Sequence, residues 1–353
     1  MGLQKPLGTN QPFHSFALNL NIDAAALAVF PVLAAVALKA IWMPMLLPGG
    51  KTVLHSFCPA NAYGHHALQL FPFRLRYTGI DTVDQMLCGL VTTFQLVMAD
   101  ADAYKFANYF LTGFLPICII MGVEALRPGV GALISLPNLF FFIAQFASLG
   151  ATIPIYWAFY IASGNLKKRR AVALSRIPRS QVVAFIFAFI VGSVLPVEAM
   201  FHLSDPYVTA MWQFYPIFVA ISQYFHSKAV PPSTEFNPGF PYIRFLYIGS
   251  FILSSSAHIA VVLPNITGLS WPSAFDLPTL NPTSISTSTT FLIHNLLKWD
   301  FAFAAGSFAL GSLWFARSFK ELIGFVLWYA VATPVVGIGS AVMGVFIYDD
   351  AVL

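Results

Sequence analysis

Glu124, Glu198 and Asp300 are carboxylates set inside or against long apolar runs, in a chain that is 58% hydrophobic and only 9% charged. An ionisable side chain at the centre of a bilayer costs roughly 2.5–3.5 kcal/mol or more, so it faces a bundle interior or a wet cavity and points to chemistry or transport. His202 follows Glu198 by four residues, Arg127 follows Glu124 by three, and His258 follows Ser254-Ser255-Ser256. A carboxyl group held protonated by apolar surroundings is suited to opening an epoxide or protonating an alkene. Glu124 or Asp300 fits that general-acid role, and Glu198, relayed by His202, fits the base that takes the proton of an attacking hydroxyl or water. Arg127 fits a carboxylate or polar head of the substrate. Aromatic residues make up 16% of the chain. Those in Trp299-Asp300-Phe301 and Tyr156-Trp157-Ala158-Phe159-Tyr160 offer ring faces that stabilise a developing cation. Asp84, His258, Trp299 and Tyr156 complete the candidate substrate wall.

Plainer roles stand beside these. Glu124 with Arg127, and Glu198 with His202, could simply neutralise each other on one helical face. Asp81 and Asp84 could open a helix at the headgroup level, favoured by its dipole. His258 could be a satisfied core histidine.

The elements that must position these groups are transmembrane helices. The chain has 353 residues, and its apolar runs are long enough to cross about 30 Å of hydrocarbon. They lie at 24–47, 82–100, 106–126, 132–163, 181–203, 206–226, 242–263, 290–316 and 320–347. The expectation is an all-α polytopic membrane protein of about nine spans, seven or eight being the alternatives, forming one integral domain over 1–353. Pro137 and Pro154 predict a kink or an interfacial lead-in within the fourth run. No internal repeat of the kind found in inverted-repeat transporters is evident.

Lys167-Lys168-Arg169-Arg170, with Arg176 and Arg179, marks 164–180 as a cytoplasmic loop. Alternating the spans from there makes 1–23 cytoplasmic, and makes 264–289 and Asp349-Asp350 lumenal. Asn265-Ile266-Thr267 is then a lumenal glycosylation sequon. The same alternation puts Asp81, Asp84, Glu124, Glu198, His202, His258 and Asp300 in one half of the bilayer, which predicts a polar chamber there.

Cys58, Cys88 and Cys118 are too few and scattered for a disulfide framework or a zinc site. No metal-ligand motif, phosphate-binding glycine loop or G-x-S-x-G elbow is present, and the aspartate-rich magnesium-diphosphate motifs of membrane prenyltransferases are missing. No metal, cofactor or nucleic-acid partner is therefore expected.

Met121-Gly122-Val123-Glu124-Ala125-Leu126-Arg127, Pro154-Ile155-Tyr156-Trp157 and Lys298-Trp299-Asp300-Phe301 resemble the fungal membrane-bound terpene cyclases of the ascofuranone type. Over most of the chain the ordering of spans is similar as well. The resemblance implies a cofactor-independent enzyme of secondary metabolism, in the endoplasmic reticulum membrane, acting on a hydrophobic terpenoid or polyene epoxide. It closes an oxygen ring or adds water; related polyene-polyketide proteins are epoxide hydrolases or cyclases. The rival reading is a proton-coupled transporter or receptor using the same acids. A bis-histidine haem protein built on His202 and His258 is a more distant option.

Overall fold

The computed structural model describes residues 14–46, 58, 75–171, 177–231, 237–267, 278 and 289–352. Apolar runs that must satisfy their own backbone groups in lipid become helices. Among the described residues no strand forms beyond one isolated bridge between Pro178 and Pro238. The helices are α1 (His14–Leu46), α2 (Asp81–Ala99), α3 (Ala101–Ala125), α4 (Pro137–Ala147), α5 (Leu149–Ala162) and α6 (Asn165–Ala171). They continue as α7 (Arg179–Phe189), a π-helical turn (Ile190–Val194), α8 (Leu195–Leu203), α9 (Pro206–Trp212) and α10 (Tyr215–Ala229). The last are α11 (Phe240–Thr267), α12 (Thr289–Ser312), α13 (Phe319–Val336) and α14 (Ile338–Val352). Among the described residues six helices are long and apolar enough to cross a membrane, against the about nine expected. The protein is an integral membrane protein, helical over most of its described residues.

Two of the expected single crossings, 132–163 and 320–347, are hairpins instead. The run 132–163 is a hairpin of two half-helices, not a single crossing. α4 has 11 residues and α5 has 14, about 16 and 21 Å at 1.5 Å per residue. They fold back on each other at Ser148, so the Phe140 ring lies 5.2 Å from that of Tyr156. The hairpin's two feet meet as well, where Gly131 N–H donates to Asn165 Oδ1 at 2.9 Å. Ser148 makes the reversal at φ 90° and ψ 153°, a region that costs a non-glycine residue about 1–3 kcal/mol. Its N–H bonds Ala144 O (2.9 Å), and its Oγ caps Ala151 N–H (3.2 Å). α13 and α14 form a second hairpin, reversing at Gly337 with nearly the same backbone, φ 83° and ψ 155°. Here glycine is needed for space too, since a Cβ would meet the His258 ring at 2.9 Å.

α2 lies across α9. Tyr77, just before α2, packs on Tyr207 at 5.7 Å. Gln95 Nε2, eighteen residues later, donates to Thr209 Oγ1 at 2.9 Å. α9 is thus met both by the segment before α2 and by α2 itself, where Phe94 also packs on Trp212 at 4.6 Å. Cys58 is joined to Cys88 of α2 by a disulfide, a pairing that cysteine count alone argued against.

These departures invert the side assigned to α3. Glu124 and Arg127 lie at the same end as the Lys167–Arg170 run, and so do Asp349 and Asp350. Lys105, at the start of α3, lies at the opposite end, where Tyr104 packs on Phe201 at 5.4 Å. One end therefore gathers Arg127, Lys167, Lys168, Arg169, Arg170, Arg179, Lys228, Arg244, Arg317 and Lys320. The other carries Asp81, Asp84, Asp100, Asp102, Glu198 and Asp205 with Arg76 and Lys105. Arg127 and Lys105 have exchanged ends relative to the nine alternating spans, and the basic end also holds Glu124, Glu321, Asp349 and Asp350. Arg176, the side chain of Asn265 and most of 264–289 lie outside the described residues.

A hairpin and a single crossing make opposite predictions for its feet. With native cysteines replaced, Pro128→Cys and Lys168→Cys are expected to react from the same face of sealed microsomes with a membrane-impermeant maleimide. His202→Cys should react only from the other face. Opposite reactivity of positions 128 and 168 would restore the single crossing.

Candidate functional site

The helices enclose a chamber of about 540 Å³, within the usual range of small-molecule sites, roughly 300–1,000 Å³. Its walls come from α1, α2, α3, the tip of the α4–α5 hairpin, the π-turn with α8, and the residues that open α10 and α12. Aromatic side chains line it among aliphatic ones: Trp42, Phe94, Phe110, Phe114, Phe146, Phe189, Phe201, Trp212 and Tyr215. α2 lays one helical stripe along it, Gln85, Met86, Gly89, Leu90, Thr93 and Phe94. This is why a helix of low hydropathy crosses the end of the bundle. The π-turn adds a residue to the α7–α8 rod and brings Ser193 and Val194 to the wall. Such single π-turns recur at functional sites. Gly192 within it lies on the Val219 backbone, where no side chain would fit.

Asp300 stands directly behind this wall. Its Oδ1 accepts Gly150 N–H at 2.5 Å, and the Ser148 hydroxyl and Leu149 N–H lie close to its carboxyl group. Ser148 and Leu149 themselves line the chamber. The carboxyl group thus caps the first turn of α5. Asp300 is buried, at 8% exposure, and among the described residues it takes part in no ion pair.

The other expected site residues do not converge on it. Glu198 and His202 do approach each other, at 3.4 Å, but their side chains are 60% and 77% exposed and face outward. Asp84 is spent locally, accepting from Thr78 N and Oγ1 (2.7 Å each) and Gly79 N (3.1 Å). Trp299 packs on Phe303 at 5.4 Å beside α1. Tyr156 is buried between Phe140 and Phe308. His258 Nε2 faces the Pro334 carbonyl at 3.2 Å and must donate to it. In the neutral ring Nδ1 then accepts from Tyr109 O–H, 2.9 Å away. This is the satisfied core histidine, fastening the α13–α14 reversal. The single depth expected for these acids does not exist: Glu124 sits at the basic end, Glu198 at the other, and Asp300 between them.

Glu124 belongs to a buried ion cluster. Arg127 Nε donates to its Oε1 at 2.8 Å, Tyr160 O–H to its Oε2 at 2.7 Å, and Arg169 Nη1 also binds Oε1. Arg169 continues to Asp349 Oδ2 (2.7 Å) and Asp350 Oδ1 (2.8 Å), while Arg127 reaches Asp350 Oδ1 at 2.6 Å. Arg317 closes the set on Asp349 Oδ1 at 2.7 Å. Burial alone would lower the Arg169 pKa, but Glu124, Asp350 and Asp349 outweigh it and hold the guanidinium charged. Its plane also lies over Phe315 and Phe346, 4.7 and 4.9 Å from their centroids. A carboxylate held by two guanidinium groups and a phenol is a poor proton donor. Sequence reasoning placed Arg169 in a solvated loop and Asp349-Asp350 on the far side; the one available signal was an acidic pair directly following an apolar run.

A larger groove of about 730 Å³ opens between α13 and α14 at the basic end, among Arg317, Lys320, Phe325 and Trp328. None of the expected catalytic carboxylates lines it. Among the described residues no group of three His, Cys, Asp or Glu side chains could hold a metal ion.

Residues 25–350 match the family model of the CtvD domain. A stretch of 142 residues is 23% identical to an FAD-dependent monooxygenase, verC1, of Penicillium polonicum. That stretch is 37% of this chain but only 17% of the monooxygenase's length. No solved structure matches the chain.

Proposed function

Since the chain belongs to the CtvD-domain family, a family of fungal secondary metabolism, we propose that it is an epoxide-opening cyclase or hydrolase with Asp300 as its acid. The observation that carries the reading is Asp300 itself: a buried carboxyl group without a cationic partner among the described residues, bound to Gly150 N–H and close to Ser148 on the chamber wall. In the protonated form Asp300 passes a proton through the Ser148 hydroxyl to the epoxide oxygen. The carbon–oxygen bond breaks as an internal hydroxyl, or water, attacks the carbon, and the proton that nucleophile sheds restores the carboxyl. No atom is left over and no redox partner is required. Ring faces such as those of Trp212 and Phe114 support positive charge developing at the carbon.

This route uses neither Glu124 nor Glu198. The rival transporter reading depended on acids aligned at one depth for a proton relay, and their separation removes that support. The monooxygenase likeness covers too little of that enzyme to bring its flavin chemistry here. The substrate class, a terpenoid or polyene epoxide in the endoplasmic reticulum membrane, follows the ascofuranone-type resemblance and the apolar chamber.

Incubating microsomes that contain the protein with terpenoid and polyene epoxides tests the proposal by product mass. A product isomeric with the substrate indicates ring closure, and a gain of one water indicates hydrolysis. Turnover is expected to persist in EDTA and without added flavin or nicotinamide. Loss in EDTA with recovery on adding magnesium would defeat the metal-free route.

A further inference from the structure

The chamber holds one polar pair that the acid route does not use. Gln145, one turn before the hairpin tip, and Tyr215, at the start of α10, both line it, with their side chains close to each other. Ser193 and Cys118 also line the wall, while three of its other polar groups have partners elsewhere. Gln85 donates to Cys58 O at 2.8 Å, Thr93 Oγ1 donates to Gly89 O at 2.9 Å, and Ser148 serves the tip. Tyr215 is fixed in direction by its stack on Trp212, 6.0 Å between centroids and 17° between planes.

The chemistry of the pair determines what it can bind. If the Tyr215 hydroxyl donates to the Gln145 carbonyl oxygen, the amide N–H groups remain available. If the amide donates to the phenol, the O–H remains available and so does the amide oxygen. In either amide orientation at least one donor is left, in a largely apolar wall. A donor so placed suits a neutral oxygen of the ligand, and leaving it unmet costs more than in water.

We infer that Gln145 and Tyr215 form an oxygen-anchoring subsite, which holds a hydroxyl, carbonyl or ether oxygen of the substrate and thereby sets which carbon meets the Ser148 tip. The inference rests on the chamber being the reaction site. It makes the substrate an amphiphile, apolar along the aromatic wall and oxygenated at one end. Gln145 and Tyr215 are then positioning residues, and they determine regiochemistry more than rate.

The test is binding, read as quenching of tryptophan fluorescence in purified protein. The ligands are an epoxyfarnesol and its deoxy counterpart, identical except for the terminal hydroxyl. Comparing the ratio of their affinities across variants cancels their different partitioning into detergent or lipid. Tyr215→Phe is expected to reduce the preference for the hydroxyl ligand by roughly tenfold, with the deoxy ligand bound as before. Gln145→Leu should do the same, and the conservative Tyr215→Phe decides the question if Gln145→Leu folds poorly. An unchanged ratio in Tyr215→Phe, or equal binding of both ligands by the unmodified protein, overturns the anchor and leaves the chamber reading standing. If the unmodified protein binds neither ligand, both readings fall.

Discussion

Replacing Asp300 with asparagine is expected to leave a folded, membrane-integrated protein whose turnover is lower by at least about 100-fold, the size of effect that follows loss of a general acid. Asparagine keeps an oxygen for the Gly150 N–H, so the hairpin tip stays capped, but it has no carboxyl proton to give. Asp300→Ala removes the cap as well. It should add a loss of stability of about 1–3 kcal/mol, because buried N–H groups at the start of α5 lose their acceptor. The pair of variants separates chemistry from packing when turnover and thermal unfolding are measured on the same preparations. Glu198→Gln and His202→Gln serve as controls. Both side chains are exposed and away from the chamber, and substitutions at such sites usually stay within about 0.5 kcal/mol. Near-normal turnover in Asp300→Asn would end the acid role proposed for this residue. A drop of comparable size in Glu198→Gln would return that residue to the mechanism.

Arg169→Ala is expected to fail differently, by losing the folded protein. Its guanidinium binds Glu124, Asp349 and Asp350 and is 2% exposed. Removing one partner from a buried ionic set strands the others and costs about 3–5 kcal/mol. The cluster ties α3, α5 and α6 to the end of α14, so the last hairpin should detach from the bundle. Glu124→Gln should show the same defect in milder form, since an amide oxygen at the Oε1 position still accepts from the arginines while its N–H group can donate to the Tyr160 oxygen. The monodisperse fraction on size exclusion and the unfolding temperature report this, and the molecules that do fold should turn over at a near-normal rate. A well-folded Glu124→Gln protein with turnover down as far as Asp300→Asn would mean that the cluster takes part in catalysis.

Most of the membrane segments were legible from hydropathy, because the length and composition of an apolar run are local properties. Their directions were not. The run 132–163 is long enough for one crossing, and nothing in Ser148-Leu149-Gly150 is a strong turn signal, yet the chain reverses there. What holds the reversal is contact between parts distant in sequence: Phe140 with Tyr156, Gly131 with Asn165, and Asp300 with Gly150. α2 had the length of a span, but its stripe facing the chamber and its crossing of α9 depend on Tyr207 and Thr209. The two departures offset each other for α1. Its Phe30 lies 5.5 Å from Trp314 near the basic end, as the alternation of spans expected for the N-terminal side. α3, between them, was inverted, and the α13–α14 hairpin brought Asp349 and Asp350 to the basic end as well.

That inversion decided how the candidate site was read. From the sequence by itself came the helical membrane class, the rarity of charge that makes each buried acid meaningful, the aromatic supply, and Asp300 as the acid least easily neutralised by a neighbour. The tertiary structure alone decided which charges meet. Glu124 joined Arg169 and Asp350 in a structural cluster, Glu198 was left outside, and Asp300 was placed against the chamber with Ser148 between. The physical reason is that hydropathy and helical period fix how a segment sits in lipid but not which way it runs. A single hairpin changes the sign of that direction for its neighbour, and with it the partners available to every charged side chain at the ends.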